Sequence, residues 1–150
     1  MKVFKVNDLS FKNNLTNKIL NDLPEYLDSS TKERILSNLD KNIYFTTQTE
    51  YGFSGFASLV DNETVLNIDF IGVFKNFHRQ KSGQALIKAV LDYARVNKKK
   101  AIIINIKDDS SMDQNYLKTR RFLTKMGFVK LCVIDSESFF NPTLVMAYIL

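Results

Sequence analysis

The stretch from Ile43 to Ile106 most constrains what this 150-residue chain can build, because strand patterns give way to a helix pattern and then return, with no proline to interrupt them. Ile43 to Thr49, Phe53 to Val60 and Thr64 to Phe74 are rich in β-branched and aromatic residues. Asp61-Asn62 supplies the turn between the last two, which predicts an antiparallel meander. In the third strand, period-two alternation puts Leu66, Ile68 and Phe70 on one face and Asn67, Asp69 and Ile71 on the other. Asp69 thereby sets a carboxylate in a strand that otherwise reads as buried. Ser82 to Asn97 then carries Leu86, Val90, Tyr93 and Ala94 as one apolar helical stripe, and Ala101 to Ile106 is an apolar strand. Strand, helix, strand at this spacing predicts a βαβ crossover. The fold class that follows is mixed α/β.

The flanks extend that pattern. Leu15, Ile19 and Leu23 recur every four residues, predicting a helix over Phe11 to Leu23 that Pro24 ends. Ser30-Thr31-Lys32-Glu33 has the spacing of a capping box, followed by the apolar stripe Ile35, Leu36 and Leu39. Ser111-Met112-Asp113-Gln114 is a second such signal, opening a helix with Tyr116, Thr119, Leu123 and Met126 at helical spacing that stops at Gly127. Two strands, Phe128 to Ile134 and Thr143 to Leu150, close the chain, and the loop from Asp135 to Pro142 presents Phe139 and Phe140. No repeat or Pro/Gly-rich linker divides the sequence, so residues 1–150 are expected to form one domain, in keeping with 45% hydrophobic and 25% charged residues.

Several function classes recede at this point. Apolar runs such as Ala101 to Ile104 are far shorter than a bilayer span, and the start Met1-Lys2-Val3-Phe4-Lys5-Val6 lacks a secretory core, so a soluble cytoplasmic protein with no membrane partner is expected. One cysteine, Cys132, and one histidine, His78, can form neither an internal disulfide nor a zinc site of the usual His/Cys type, and no metal is expected. Cys132 lies in an apolar strand, which predicts burial, and a covalent nucleophile there would need a base partner that the sequence does not supply nearby. The net charge of +5 suits an anionic partner. Its densest part, Lys98-Lys99-Lys100, follows a helix as the helix dipole favours, and dipole complementation and solvation account for it better than nucleic-acid binding.

Chemistry is concentrated in Ile71 to Leu86, where a strand ends, a basic loop turns and a helix starts on small residues. Amides at a helix N-terminus point outward without partners, and the dipole adds partial positive charge, so this arrangement suits a pyrophosphate. Gly83 and Ala85 let the backbone approach closely. Gln80-Lys81-Ser82-Gly83-Gln84-Ala85 is similar to the acetyl-CoA signature Q/RxxGxG/A of the GNAT N-acetyltransferases, placed after a strand ending Ile71-Gly72-Val73. Tyr116 to Phe128 resembles the second motif of that family, a helix running into Gly-Phe. Leu23-Pro24-Glu25-Tyr26 and Asn141-Pro142-Thr143-Leu144-Val145-Met146 resemble one bacterial branch of it.

The resemblance implies a central, mostly antiparallel twisted sheet with a splayed parallel pair, and acetyl-CoA as co-substrate wedged between the splayed strands. It implies cofactor contacts from Ile71, Gly72, Val73, from Arg79, Gln80, Lys81, Ser82, Gly83, Gln84 and Ala85, and from Thr119 and Phe122. It implies direct transfer to a primary amine in a ternary complex, with Asp69 in the strand region where many members keep a carboxylate base and an amide of Ile71 or Val73 polarising the thioester. The acid tyrosine of the second motif is replaced by Leu123, which leaves Tyr116, two turns earlier, as the substitute. His78, beside the proposed phosphates, reads as a phosphate or water contact. The acceptor class stays open among free amino acids, polyamines, aminoglycosides and protein amines, as does a homodimer. Two rivals follow from the same residues: a non-catalytic acyl-CoA binder, because of Leu123, and an acetyltransferase toxin acting on aminoacyl-tRNA, because of the basic charge.

Overall fold

Alternation builds the sheet, and the places where it slips shape the site. In a computed structural model of the chain, residues 1–107, 114–135 and 142–150 are described. Seven strands form one sheet in the order β1-β2-β3-β4-β5-β7-β6. They are β1 (Lys2–Lys5), β2 (Ile43–Thr49), β3 (Gly52–Asn62), β4 (Val65–Val73), β5 (Ala101–Lys107), β6 (Val129–Ile134) and β7 (Thr143–Ile149). Every pairing is antiparallel except β4 with β5. The mixed α/β class and the parallel pair are therefore as the sequence implies. β1, four residues long, is too short to show a period, and it is found only through its pairing with β2.

The β3–β4 turn lies two residues beyond Asp61-Asn62. Those residues still pair with Leu66 and Val65, and the turn falls at Glu63-Thr64, where the Asp61 carboxylate accepts the Glu63 amide at 3.1 Å. A larger correction concerns the faces of β4. Ile68 lies opposite Leu59 and Phe70 opposite Ser58, so Asp69 is an extra residue, a β-bulge. Leu66 and Ile68 enter the larger core, Phe70 joins the second core on the other side of the sheet, and Ile71 and Val73 pack against the larger core again. A matching slip omits Ser54 from the β2–β3 register.

Four α-helices among the described residues cover the two faces. α1 (Leu9–Asp22) and α2 (Ser29–Ser37) bury Leu15, Ile19, Leu20 and Ile35 against Tyr44 and Phe56. α3 (Ser82–Val96) and α4 (Gln114–Lys125) bury Leu86, Val90 and Leu123 with Ile102, Phe128 and Met146. The cap of α2 is Asp28 rather than Ser30. Its carboxylate accepts the Thr31 amide at 2.7 Å, and Ser30 donates its hydroxyl to that same carboxylate at 2.9 Å. A charged acceptor outcompetes a hydroxyl for an orphan amide at a helix start. α4 ends as expected, at Gly127 with φ of +103°. The capping signal at Ser111 to Asp113 and the phenylalanines Phe139 and Phe140 lie outside the described residues. Cys132 is exposed, contrary to expectation, because β6 is the edge of the sheet.

One buried cation secures the helical layer over the second core. Lys12 of α1 is 4% exposed and donates to the carbonyls of Leu39 and Asn42, each at 3.0 Å, closing the turn that leads from α2 into β2. Desolvation lowers its pKa below the ordinary lysine value, with nearby Asp40 opposing that shift. Removing the amine strands two carbonyls in a region closed to water, at roughly 1–3 kcal/mol for an unsatisfied buried group. Lys12→Met is therefore expected to lower unfolding stability by about 2 kcal/mol, read as a shift in urea midpoint at unchanged slope.

Candidate functional site

The parallel pair is short. β4 and β5 are in register only from Val65 with Ala101 to Ile68 with Ile104. Beyond that point β4 stays with β3, and Asn105 to Lys107 stay with β7, so the two strands part and leave a wedge at their C-terminal ends. The split begins at the Asp69 bulge. The Phe74 amide donates to the Ser54 carbonyl at 2.9 Å, so the alternation of an antiparallel ladder turns the backbone groups of Ile71 and Val73 the other way, into the wedge. The Val73 carbonyl is met there by His78, whose Nε2 donates to it at 2.8 Å. His78 thus braces the loop rather than offering that nitrogen to a phosphate. Gly72 leaves room for its neighbours: a Cβ there would stand 3.1 Å from Ile19 of α1 and 2.9 Å from the Phe70 ring, so those side chains would have to shift.

The loop from β4 to α3 places two non-glycine residues in the left-handed region, Arg79 at φ of +65° and Lys81 at +69°. Each costs roughly 1–2 kcal/mol in backbone strain. Turns of this kind bring successive N–H groups onto a common side, as in anion-binding concavities. Lys81 is the N-cap of α3, and no side chain caps the helix. Ala85 spends its amide on the Lys81 carbonyl at 2.9 Å, which removes it from the expected anion-binding amides and leaves those of Ser82, Gly83 and Gln84 at the open end. The Ser82 hydroxyl is buried against Ser54 at 2.8 Å, so Ser82 can offer only its N–H. Gly83 faces α4, where an added Cβ would lie 3.2 Å from the Phe122 ring. Thr119, half-buried, lies one turn before Phe122 on that helix.

The catalytic candidates lie on other elements, Asp69 on β4 and Tyr116 on α4. The Asp69 side chain is 9% exposed and forms an ion pair with Arg34 of α2, while its second oxygen accepts Asn42 Nδ2 at 3.4 Å. The bulge turns it toward the α1–α2 side of the sheet, next to the last residues shared by β4 and β5. Tyr116 packs edge-on against Tyr26, with ring centroids 6.3 Å apart, and donates its hydroxyl to the Tyr26 carbonyl at 2.7 Å. Leu123 is fully buried in the larger core. Among the described residues no three His, Cys, Asp or Glu side chains gather as metal ligands, and no helix is long and apolar enough to cross a membrane.

The sequence profile of the acetyltransferase (GNAT) family matches residues 13–128, which takes in the bulged strand, the loop and both motif helices. The chain belongs to the GNAT family. Solved structures agree in fold. A GNAT-family protein from Desulfovibrio desulfuricans superposes with a TM-score of 0.84 at 12% identity, over 99% of this chain and 98% of that one. The ribosomal-protein-S18-alanine N-acetyltransferase of Escherichia coli gives 0.76 at 12% identity, over 99% and 94%. A Bacillus subtilis acetyltransferase in complex with CoA gives 0.75 at 14%, over 99% and 98%. No curated protein matches the chain by sequence.

Residue patterns alone missed Arg34 and Asn42, which contact Asp69, and Ser54, which contacts Ser82. Arg34 reaches Asp69 across 35 positions, a pairing no local pattern encodes. Ser54 had a signal: Phe53 and Phe56 share one core although three residues apart, which period-two alternation forbids without a bulge. Leu123 follows from burial, since a tyrosine there would have to force its ring and hydroxyl into a filled core. Leu123→Tyr is expected to lower stability by roughly 1–3 kcal/mol, as overpacked cores do, without gain in turnover; thermal unfolding and a thiol-release assay check both.

Proposed function

We propose that this GNAT domain transfers the acetyl group of acetyl-CoA to a primary amine by direct attack in a ternary complex. The observation that carries the reading is the uncapped start of α3, reached through two strained left-handed residues at the mouth of the β4–β5 wedge. Such strain persists where function needs the geometry. The amides of Ser82, Gly83 and Gln84 hold the pyrophosphate, aided by the helix dipole and by Arg79 and Lys81, and Gln80 lies on the same loop. The pantetheine arm lies along the wedge, against backbone groups of Ile71 and Val73, with Thr119 and Phe122 on the α4 side. Aminoglycoside and ribosomal-protein acetyltransferases share the fold. Acceptors that differ so widely have the amine in common, and the amine is as far as the acceptor assignment goes.

In the transfer the amine nitrogen bonds to the thioester carbon, the C–S bond breaks, and the amine proton must leave. An N–H of Ile71 or Val73, aimed into the wedge, stabilises the developing oxyanion. Asp69 takes the amine proton directly or through water, and Arg34 holds the carboxylate in place while Asn42 steadies its second oxygen. Tyr116 is the candidate proton donor to the departing thiolate, which requires its hydroxyl to leave the Tyr26 carbonyl.

Gly83→Glu adds bulk against Phe122 and a negative charge at the pyrophosphate site. It is expected to abolish CoA binding in calorimetry, and undiminished affinity in the folded variant would sink the assignment of the loop. Asp69→Asn is expected to lower turnover by ~10² while leaving CoA affinity nearly intact, because a general base acts on the transition state. Tyr116→Phe keeps the ring packing and removes the proton; full activity in both variants would overturn the catalytic assignment while leaving the cofactor loop standing.

A further inference from the structure

Ser54 is drawn into the loop between β4 and α3 at both of its ends. Its carbonyl accepts the Phe74 amide at 2.9 Å where the loop leaves β4, and its hydroxyl bonds Ser82 Oγ at 2.8 Å where the loop enters α3. Behind it, Thr47 Oγ1 lies 2.8 Å from Ser54 Oγ. All three side chains are buried, Thr47 and Ser54 completely. Ser54 can do this because it is the residue that the β2–β3 register omits. A regular strand would pair it in the ladder and fix its side chain to one face of the sheet; the bulge re-aims it.

The surroundings leave little slack. A Cβ on neighbouring Gly55 would stand 2.8 Å from the Gly72 carbonyl and 3.2 Å from the Leu86 side chain of α3, so the β4 backbone and the first turns of α3 close directly on the β3 backbone. A helix start held this closely has few other ways to set its angle, and a side-chain cap is absent from α3.

We propose that the buried hydroxyl chain Thr47–Ser54–Ser82 aims the first amides of α3 at the pyrophosphate, with Ser54 as a positioning residue for the co-substrate. The proposal rests on the reading that the α3 start takes the pyrophosphate of CoA. Chains of hydroxyls polarise one another in a low-dielectric interior, and each link deleted leaves a buried group short of a partner. Ser82 then contributes twice, with its N–H toward the ligand and its hydroxyl toward the sheet.

The test compares CoA with pantetheine, which reaches the wedge but carries no pyrophosphate, using calorimetry for the first and NMR titration for the second. In Ser54→Ala, CoA affinity is expected to fall about tenfold, the size of one hydrogen bond of roughly 1.4 kcal/mol, with pantetheine affinity unchanged. Wild-type CoA affinity in the folded variant, or equal weakening of both ligands, would overturn the proposal. Should Ser54→Ala fail to fold, Thr47→Val and Ser82→Ala each cut one link and carry the same expectation and the same overturning results. Wild-type protein that binds pantetheine as tightly as CoA would instead remove the pyrophosphate reading on which the proposal stands.

Discussion

A strand has two edges, and β4 gives up one of them. After four residues of parallel pairing it keeps only its bonds to β3, and the extra residue at Asp69 marks the break. Unpaired backbone groups in a sheet centre are costly unless something meets them. In this sheet the Val73 carbonyl is met by His78, and the N–H groups of Ile71 and Val73 face the side on which β5 has parted from β4. The rest of the molecule is arranged around that opening. α3 starts at the end of the loop after β4, Phe122 of α4 stands against Gly83, and Ile19 of α1 stands against Gly72.

Much of this was legible in residue patterns. The alternating runs located β2 within its observed bounds and β3 to β7 within a few residues, and the apolar stripe Leu86, Val90 and Ala94 located α3. What alternation could not show is its own interruption. The bulges at Ser54 and Asp69 depend on what lies across the ladder, and only odd spacings such as Phe53 to Phe56 hint at them. Helix starts were ambiguous for a related reason, because Asp28 and Ser30 both offer an acceptor and the stronger one wins.

The loop between β4 and α3 was legible as chemistry, less so as geometry. Small residues after a strand announced the close approach at Gly83, yet its partner Phe122 lies on another helix. Left-handed backbone at Arg79 and Lys81 had no sequence mark, since glycine, the usual sign, stands at neither position. Placing cations there couples strain to charge in one loop. Asp69 was noticed because it is a carboxylate in an apolar strand, while Arg34 and Asn42, which hold it, come from distant segments that tertiary packing alone brings together.

The sheet also divides the interior into two cores that share a wall and few side chains. Residues of α1 and α2 meet one face, and those of α3 and α4 the other. Perturbations confined to separate cores combine additively, whereas neighbours within one core couple. The α1–α2 layer, toward which Asp69 faces, is joined to the loop after β4 at few points, chiefly where the Asp22 carboxylate accepts the Lys75 amide at 2.7 Å and Glu25 pairs with Lys75. Substitutions deep in one core are therefore felt mainly by their own helices, and the partition that permits this is the plane of the sheet itself.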